Sequence, residues 1–400
     1  MKKAFVIISL MFATLPAWGA FPTGWTRKCA LTVNHTKVPS TQTSFPALIG
    51  FNITPSTESC LPIEMMQTGS GYTAQADGGD IRFTSDEAGT TGLNLEIATF
   101  TVAAATMNAK AELYVRIPTL SASADTVIYV WYGNTGQSQA AATEATWGSY
   151  GVWDSNYAGV WHLNEPTDAK NLDSTLNLNV STPAASPTNS AGKLHKDLYF
   201  LNASSKYTEA GDKTSLKIAG AEITISCWLK MAASVPVYSG VVTKQVDQNS
   251  NSSYGIYTNN NNVWVIIVNA AGTDKTVGPA DCSDRAYHYM VGRYLAGNVD
   301  LYNNNSRIGT GAAHSGNIKD TTVPFQIGRY NTSPRFFSGD IDEVRVSKIG
   351  RSNDWNTAEY NNQSDPASFW TVGSPSDVGG GAVAAVVNVI RRIIVVLNGE

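Results

Sequence analysis

Between positions 110 and 117 every second side chain is apolar. Ala111, Leu113, Val115 and Ile117 fall on one face, with Glu112 and Arg116 opposite. A period of two specifies an extended strand with one face on a core and the other toward water; a helix would repeat its apolar positions every three to four residues. Segments 28–33, 47–53, 80–83, 93–100 and 126–132 read as further short strands, with turns at Gly69 and Gly71, at Gly78-Gly79 and at Gly133-Asn134. A second series runs from about residue 160 to 369. There 222–231 puts Ile223, Ile225, Cys227 and Leu229 on one face, 263–268 is an unbroken β-branched and aromatic run, and strands over 287–295 and 299–302 follow. Four hundred residues with 34 Gly and 16 Pro suit two such units. The expected class is all-β, with two β-sandwich domains.

The ends of the chain differ from its middle. Residues 1–20 combine Lys2 and Lys3, an apolar run from Ala4 to Leu15 and a small-residue end at Gly19-Ala20, the three parts of a secretory signal peptide. The mature chain is expected to begin at or next to Phe21 and to be secreted or extracellular, on a cell surface or a virion. A formal charge of −4, more negative still without the leader, excludes the basic field that a nucleic-acid partner requires. Residues 373–400 read as a Gly-rich hinge followed by an apolar segment, 382–397, interrupted by Asn388, Arg391 and Arg392. Two central arginines and its short length argue against a transmembrane span. Its Val and Ile content fits a strand that adds to an edge, either of its own domain or of a neighbouring copy or scaffold.

Export would allow disulfides, and the spacing of Cys29, Cys60, Cys227 and Cys282 points to two local pairs, Cys29 with Cys60 and Cys227 with Cys282; buried thiols are the alternative. None of His35, His162, His195, His288 and His314 stands at a zinc-like interval from another ligand. Residues 140–159 hold Trp147, Tyr150, Trp153 and Tyr157, so much aromatic area that the linker is expected to pack between the domains.

Several segments together carry a family resemblance. Gly24-Trp25-Thr26-Arg27-Lys28, Phe45-Pro46-Ala47-Leu48-Ile49, Asp80-Ile81-Arg82-Phe83-Thr84 and the run from Val127 to Asn134 resemble an uncharacterised β-rich domain of secreted bacterial and phage proteins that usually precedes a lectin-like domain. The junction from Gly151 to Leu163, the strand Ile223-Thr224-Ile225-Ser226-Cys227-Trp228-Leu229-Lys230 and the closing Gly339-Asp340-Ile341-Asp342-Glu343-Val344 are similar to a LamG-like jelly roll of the concanavalin A-like lectin/glucanase superfamily. The boundaries implied are 21–139 for the first sandwich, 140–159 for the linker, 160–372 for the jelly roll and 373–400 for the tail. Tyr287-His288 and Asn303-Asn304-Asn305 depart from the family's usual Trp-His pair and Asn-Gly hairpin.

The resemblance implies a sheet or loop rim suited to sugars, sometimes with calcium. Aromatic faces cover sugar C–H surfaces while amides bond hydroxyls, which makes Tyr254, Tyr257, Trp264 and Tyr330 the candidate platform and 259–262 its polar rim; the same residues also suit a sandwich core and a turn. Asp173 and Asp342 are the candidate calcium ligands, with hydrogen-bonded structural carboxylates as the alternative; Asp342 is placed on the same strand face as Asp340, Val344 and Val346. A glycoside hydrolase needs two carboxylates flanking the sugar, and the Glu-x-Asp-x-x-Glu type of strand motif is missing. The function expected is non-catalytic binding of a glycan or surface polysaccharide. Structural assembly through 382–397 and glycoside hydrolysis are the alternatives.

Overall fold

A computed structural model describes residues 24–52, 59–105, 108–246, 252–330 and 335–378. The expected signal peptide and the apolar segment 382–397 lie outside the described residues. The described residues are 44% strand and 10% helix. No helix among the described residues is long and apolar enough to cross a membrane.

The first sandwich packs a three-stranded sheet, Gln42–Phe51, Lys110–Leu120 and Leu95–Thr101, against a sheet built on Arg27–Val33 and Thr126–Tyr132. Its core holds Leu31, Phe45, Ile49, Phe83, Leu113, Val115, Ile117 and Val130, so the apolar face read from the alternation at 111–117 does point inward. The opposite face is a correction: Glu112 is also buried, because the second sandwich covers what was read as the solvent side.

In the second sandwich a nine-stranded sheet has Gly339–Ser347 and Ile223–Met231 at its centre, and a seven-stranded sheet runs from Asp274–Asp281 through Asn262–Val268, Tyr254–Asn259 and Ser239–Lys244. Ile223, Ile225, Cys227 and Leu229 face the core between them. Along Gly339–Ser347 the alternation breaks. Trp228 lies opposite Asp342, yet Ser226 lies opposite Arg345, so one strand carries an extra residue, and Glu343 there has a left-handed φ of +53°. This bulge corrects the expected face assignment. Ile341, Val344 and Val346 point into the core, whereas Asp342, level with the outward Trp228, points to the other side.

Each sandwich has its own core, and that of the first extends into the junction between them. Trp153 and Tyr157, from the aromatic linker, and Trp355, Phe369 and Trp370, from beyond the jelly roll, join the same cluster as the first sandwich's residues. The helix Asn353–Ser364 starts at Ser352, whose side chain accepts from the Trp355 N–H. After it, Trp370–Val372 pairs with Arg27–Val33, and Ser376–Asp377 pairs with Lys28 and Arg27. Residues 373–377 are therefore held as an edge of the first sandwich, not as the expected hinge; Gly373 donates its N–H to Ala30 O at 2.8 Å.

The expected disulfides Cys29–Cys60 and Cys227–Cys282 are not formed; all four cysteines are buried thiols. Each fills core volume as a small apolar side chain. Burial pushes Cys29 up to about 11 and Cys282 up to about 12, and thiols held protonated in this way are poor nucleophiles for exchange.

Candidate functional site

The four candidate aromatics divide by strand parity. Tyr254 points between the sheets, where its hydroxyl donates to Leu216 O at 2.8 Å, and it belongs to the core. Tyr257, Trp264 and Tyr330 come together on the outer face of the seven-stranded sheet with Ile266 and Val268. Tyr257 and Tyr330 lie 5.8 Å apart by ring centroid, and Tyr238, a residue the sequence reading passed over, stacks 6.5 Å from Tyr257. The Arg335 guanidinium sits 5.4 Å over Tyr238 and 6.0 Å from Tyr330. Beside them Arg329 lies 4.5 Å over Tyr207. Tyr257 and Tyr330 are buried, while Tyr238 and Trp264 are partly open. The Trp264 indole Nε1 is buried with no hydrogen-bond partner, an unspent donor at the edge of an aromatic layer. Asn262, from the polar rim, adjoins it on the same strand.

The two candidate calcium ligands are held by separate partners. Asp173 accepts from the backbone N–H groups of Val160, Thr175 and Asn179 at 3.0, 3.0 and 2.8 Å, and from the Thr175 hydroxyl at 3.0 Å. Those bonds organise the loop and leave little lone-pair capacity for an ion. Asp342 accepts from the Leu194 N–H at 3.1 Å, and burial, followed by the charges of Glu343 and Asp197, holds its carboxyl well above the usual range. Asp173 is thus a hydrogen-bonded loop carboxylate, and Asp342 has the Leu194 N–H as its hydrogen-bond partner among the described residues. A second acidic pair lies near Asp342: Ser190 Oγ is 2.5 Å from Asp197 Oδ1 and 2.6 Å from Asp340 Oδ1.

At the contact between the sandwiches, segments far apart in sequence assemble a buried polar network. Glu112 comes from Lys110–Leu120, Glu96 from Leu95–Thr101, His162 follows Tyr157–Trp161, and the bulge supplies Glu343. His162 Nδ1 is 2.5 Å from Glu343 Oε1 and 3.7 Å from Glu112 Oε1, and its Nε2 is 3.4 Å from Glu96 Oε2. Arg345 Nη2 donates to Glu343 Oε2 at 2.7 Å, and its Nη1 bonds Glu359. The Tyr114 ring stacks on the imidazole at 4.8 Å, and the Arg345 guanidinium lies 4.9 Å from the Trp153 ring. Burial and then the Glu343 charge push Glu112 up to about 8. Glu343 feels the same burial, but His162 and Arg345 overcome it and hold it down at about 2. His162 is raised well above its usual value, Glu343 and Glu96 outweighing the burial that opposes its charge.

Among the described residues, Glu112, His162 and Glu343 are the group whose donor atoms converge, all within 4.8 Å of one another. The sequence reading missed it because it tested histidines against ligands at short intervals, and here the intervals span both domains. The available signal was Glu112, an acid in a strand whose polar side need not have been solvent, and the Asp342-Glu343 pair, whose second acid the bulge re-aims.

Residues 202–355 match the concanavalin A-like lectin/glucanases superfamily, and residues 77–164 match a domain of unknown function, DUF2341. The chain is similar to the binding domain of Paraclostridial mosquitocidal protein 1, at 11% identity over 51% of this chain and 52% of that one, with a TM-score of 0.43. It is also similar to the binding domain of botulinum neurotoxin serotype D, at 12% identity over 52% of each chain and a TM-score of 0.41. A third likeness is to domain 4 of AbnA, an extracellular arabinanase from Geobacillus stearothermophilus solved with arabinotriose: 13% identity, 52% of this chain, 98% of that one and a TM-score of 0.38. The match covers about half the length of the toxin chains. No curated protein matches the chain.

Proposed function

We propose that this chain, which belongs over residues 202–355 to the concanavalin A-like lectin/glucanases superfamily and carries a domain of unknown function ahead of it, is an exported, non-catalytic protein that binds carbohydrate or another surface polymer. The observation that carries the reading is the aromatic layer outside the seven-stranded sheet. Tyr238 and Trp264 keep part of their rings open on that face, over the buried Tyr257 and Tyr330, and Arg335 lies against Tyr238 and Tyr330. Flat apolar faces edged by donors are what a sugar ring requires, since it presents C–H surface on one side and hydroxyls around its rim.

Non-catalytic action is supported by where the carboxylates lie. Asp197, Asp340, Asp342, Glu112 and Glu343 are all buried; a polymer chain would have to part the two sandwiches to reach Glu112 or Glu343. Hydrolysis requires acid and base on both sides of an accessible bond.

The test is a glycan and polysaccharide binding screen of the full mature chain, with Tyr238→Ala and Arg335→Ala as variants of partly open residues. Saturable binding that falls at least tenfold in both variants, with unchanged circular dichroism, supports the reading. Wild-type chain that binds nothing in the screen overturns it and moves the weight to assembly through 382–397. Release of reducing sugar by the wild type would replace binding with hydrolysis.

A further inference from the structure

We propose that Glu112, His162 and Glu343 bind one first-row divalent cation, of the zinc or manganese class, at the contact between the two sandwiches. The inference is independent of the carbohydrate reading. One imidazole and two carboxylates from three separate segments converge, a mixed nitrogen and oxygen donor set suited to these ions and not to calcium, which takes oxygen ligands throughout. Bonds of about 2.0–2.2 Å require donors separated by roughly 3–4 Å; the 3.7 Å from His162 Nδ1 to Glu112 Oε1 falls in that range, while the 2.5 Å to Glu343 Oε1 is a hydrogen-bond distance that an entering ion would have to widen.

Charge is the second observation. Glu96, Glu112, Glu343 and Glu359 are buried or nearly so, and among the described residues their ion pairs within this network go to His162 and Arg345. Among the described residues Arg345 is the permanent cation in that network. Protons held on Glu112 and His162 offset much of the remaining negative charge, and a dication bound by Glu112, Glu343 and His162 would take the place of those two protons at the same net charge.

The third observation is the far side of the imidazole. His162 is buried, and its Nε2 has no hydrogen bond of acceptable geometry. Glu96 Oε2 waits 3.4 Å away, itself fixed by the Trp153 indole N–H at 2.5 Å. With the proton on Nε2 and facing Glu96, the Nδ1 lone pair faces Glu112 and Glu343. A carboxylate behind a metal-bound histidine fixes tautomer and ring orientation in the same way; Glu96 is therefore a positioning residue. The left-handed φ of +53° at Glu343 is the backbone cost of turning that carboxylate toward the site. An ion held there ties Lys110–Leu120 of the first sandwich to Gly339–Ser347 of the second.

The full chain, stripped with chelator and then dialysed against Zn2+ or Mn2+, is expected to retain one ion per chain by elemental analysis. Its melting temperature should rise by roughly 5 °C at a hundredfold excess over Kd. Both effects should vanish in Glu112→Gln and in His162→Gln. Should those variants not fold, the wild type loaded with Co2+ supplies the check, through a visible spectrum that reports a nitrogen ligand. Overturning results are a wild type that retains neither ion, a shift given by Ca2+ alone, binding that survives His162→Gln, or a Co2+ spectrum without nitrogen ligation.

Discussion

Asn362, on the helix that follows the jelly roll, bonds both backbone groups of Leu48 in the first sandwich: its Oδ1 accepts from the Leu48 N–H at 2.7 Å and its Nδ2 donates to the Leu48 carbonyl at 2.9 Å. The side-chain amide does what a neighbouring strand would do. Trp370 Nε1 reaches the same carbonyl at 2.8 Å.

Asn362→Ala removes both amide bonds and leaves the Leu48 N–H buried without its partner, so it is expected to destabilise the chain by about 1–3 kcal/mol. Asn362→Asp keeps the acceptor, loses the donor and adds a buried charge, and should cost at least as much. Urea midpoints of the two variants check the order; an alanine variant as stable as the wild type would show that water replaces the amide.

Truncation after residue 369 tests whether the C-terminal strands belong to the first sandwich. Trp370–Val372 and Ser376–Asp377 supply its edge, and the Trp370 side chain is buried in the first sandwich's core. Trp370→Ala alone should cost about 3–5 kcal/mol. The truncated chain should be cut by protease within the first sandwich before the jelly roll; equal resistance of both halves would count against the pairing.

The Asp197 and Asp340 pair gives a pH dependence. Burial and then the Asp340 charge push Asp197 up to about 6, against about 3.9 in an unfolded chain. From about pH 4 to 6 the folded state keeps a proton that the unfolded state has released. Stability contributed by this group therefore falls as pH rises through that window, by about 2–3 kcal/mol, and is flat above it. Asp197→Asn can donate to Ser190 while accepting from Tyr287, whose hydroxyl bonds Asp197 Oδ2 at 2.5 Å. That variant should gain stability over the wild type at pH 7 and lose the advantage near pH 4, read from denaturation midpoints across pH.

Four buried thiols predict that the folded chain, purified without reductant, has the same intact mass before and after reduction. It should react with a thiol reagent at pH 8 only after denaturant is added. A mass gain of about 2 Da per pair on reduction would instead restore the two expected bridges.

Local periodicity carried much of the fold. The alternation at 111–117 and at 223–229 placed the inward residues because side-chain direction along a strand is set by the backbone alone. The same rule failed at Asp342, where one extra residue at the bulge shifts the phase and no local pattern in Asp340-Ile341-Asp342-Glu343-Val344 announces it. Of the candidate aromatics, Tyr257, Trp264 and Tyr330 lie in one cluster, while Tyr254, three residues before Tyr257, faces the opposite way by parity that could have been counted.

The all-β class, the two series of strands and the closing segment that marks the jelly roll are legible without coordinates, since they rest on spacing within single strands and on turn residues between them. What the outer faces meet depends on how the sheets are brought together. Glu112 reads as a solvated acid until the second sandwich covers it, and His162 stands at no ligand interval until Lys110–Leu120 and Gly339–Ser347 are brought against it. Burial, charge balance and donor convergence are properties of surfaces placed together, and one-dimensional spacing records only the surface each strand brings.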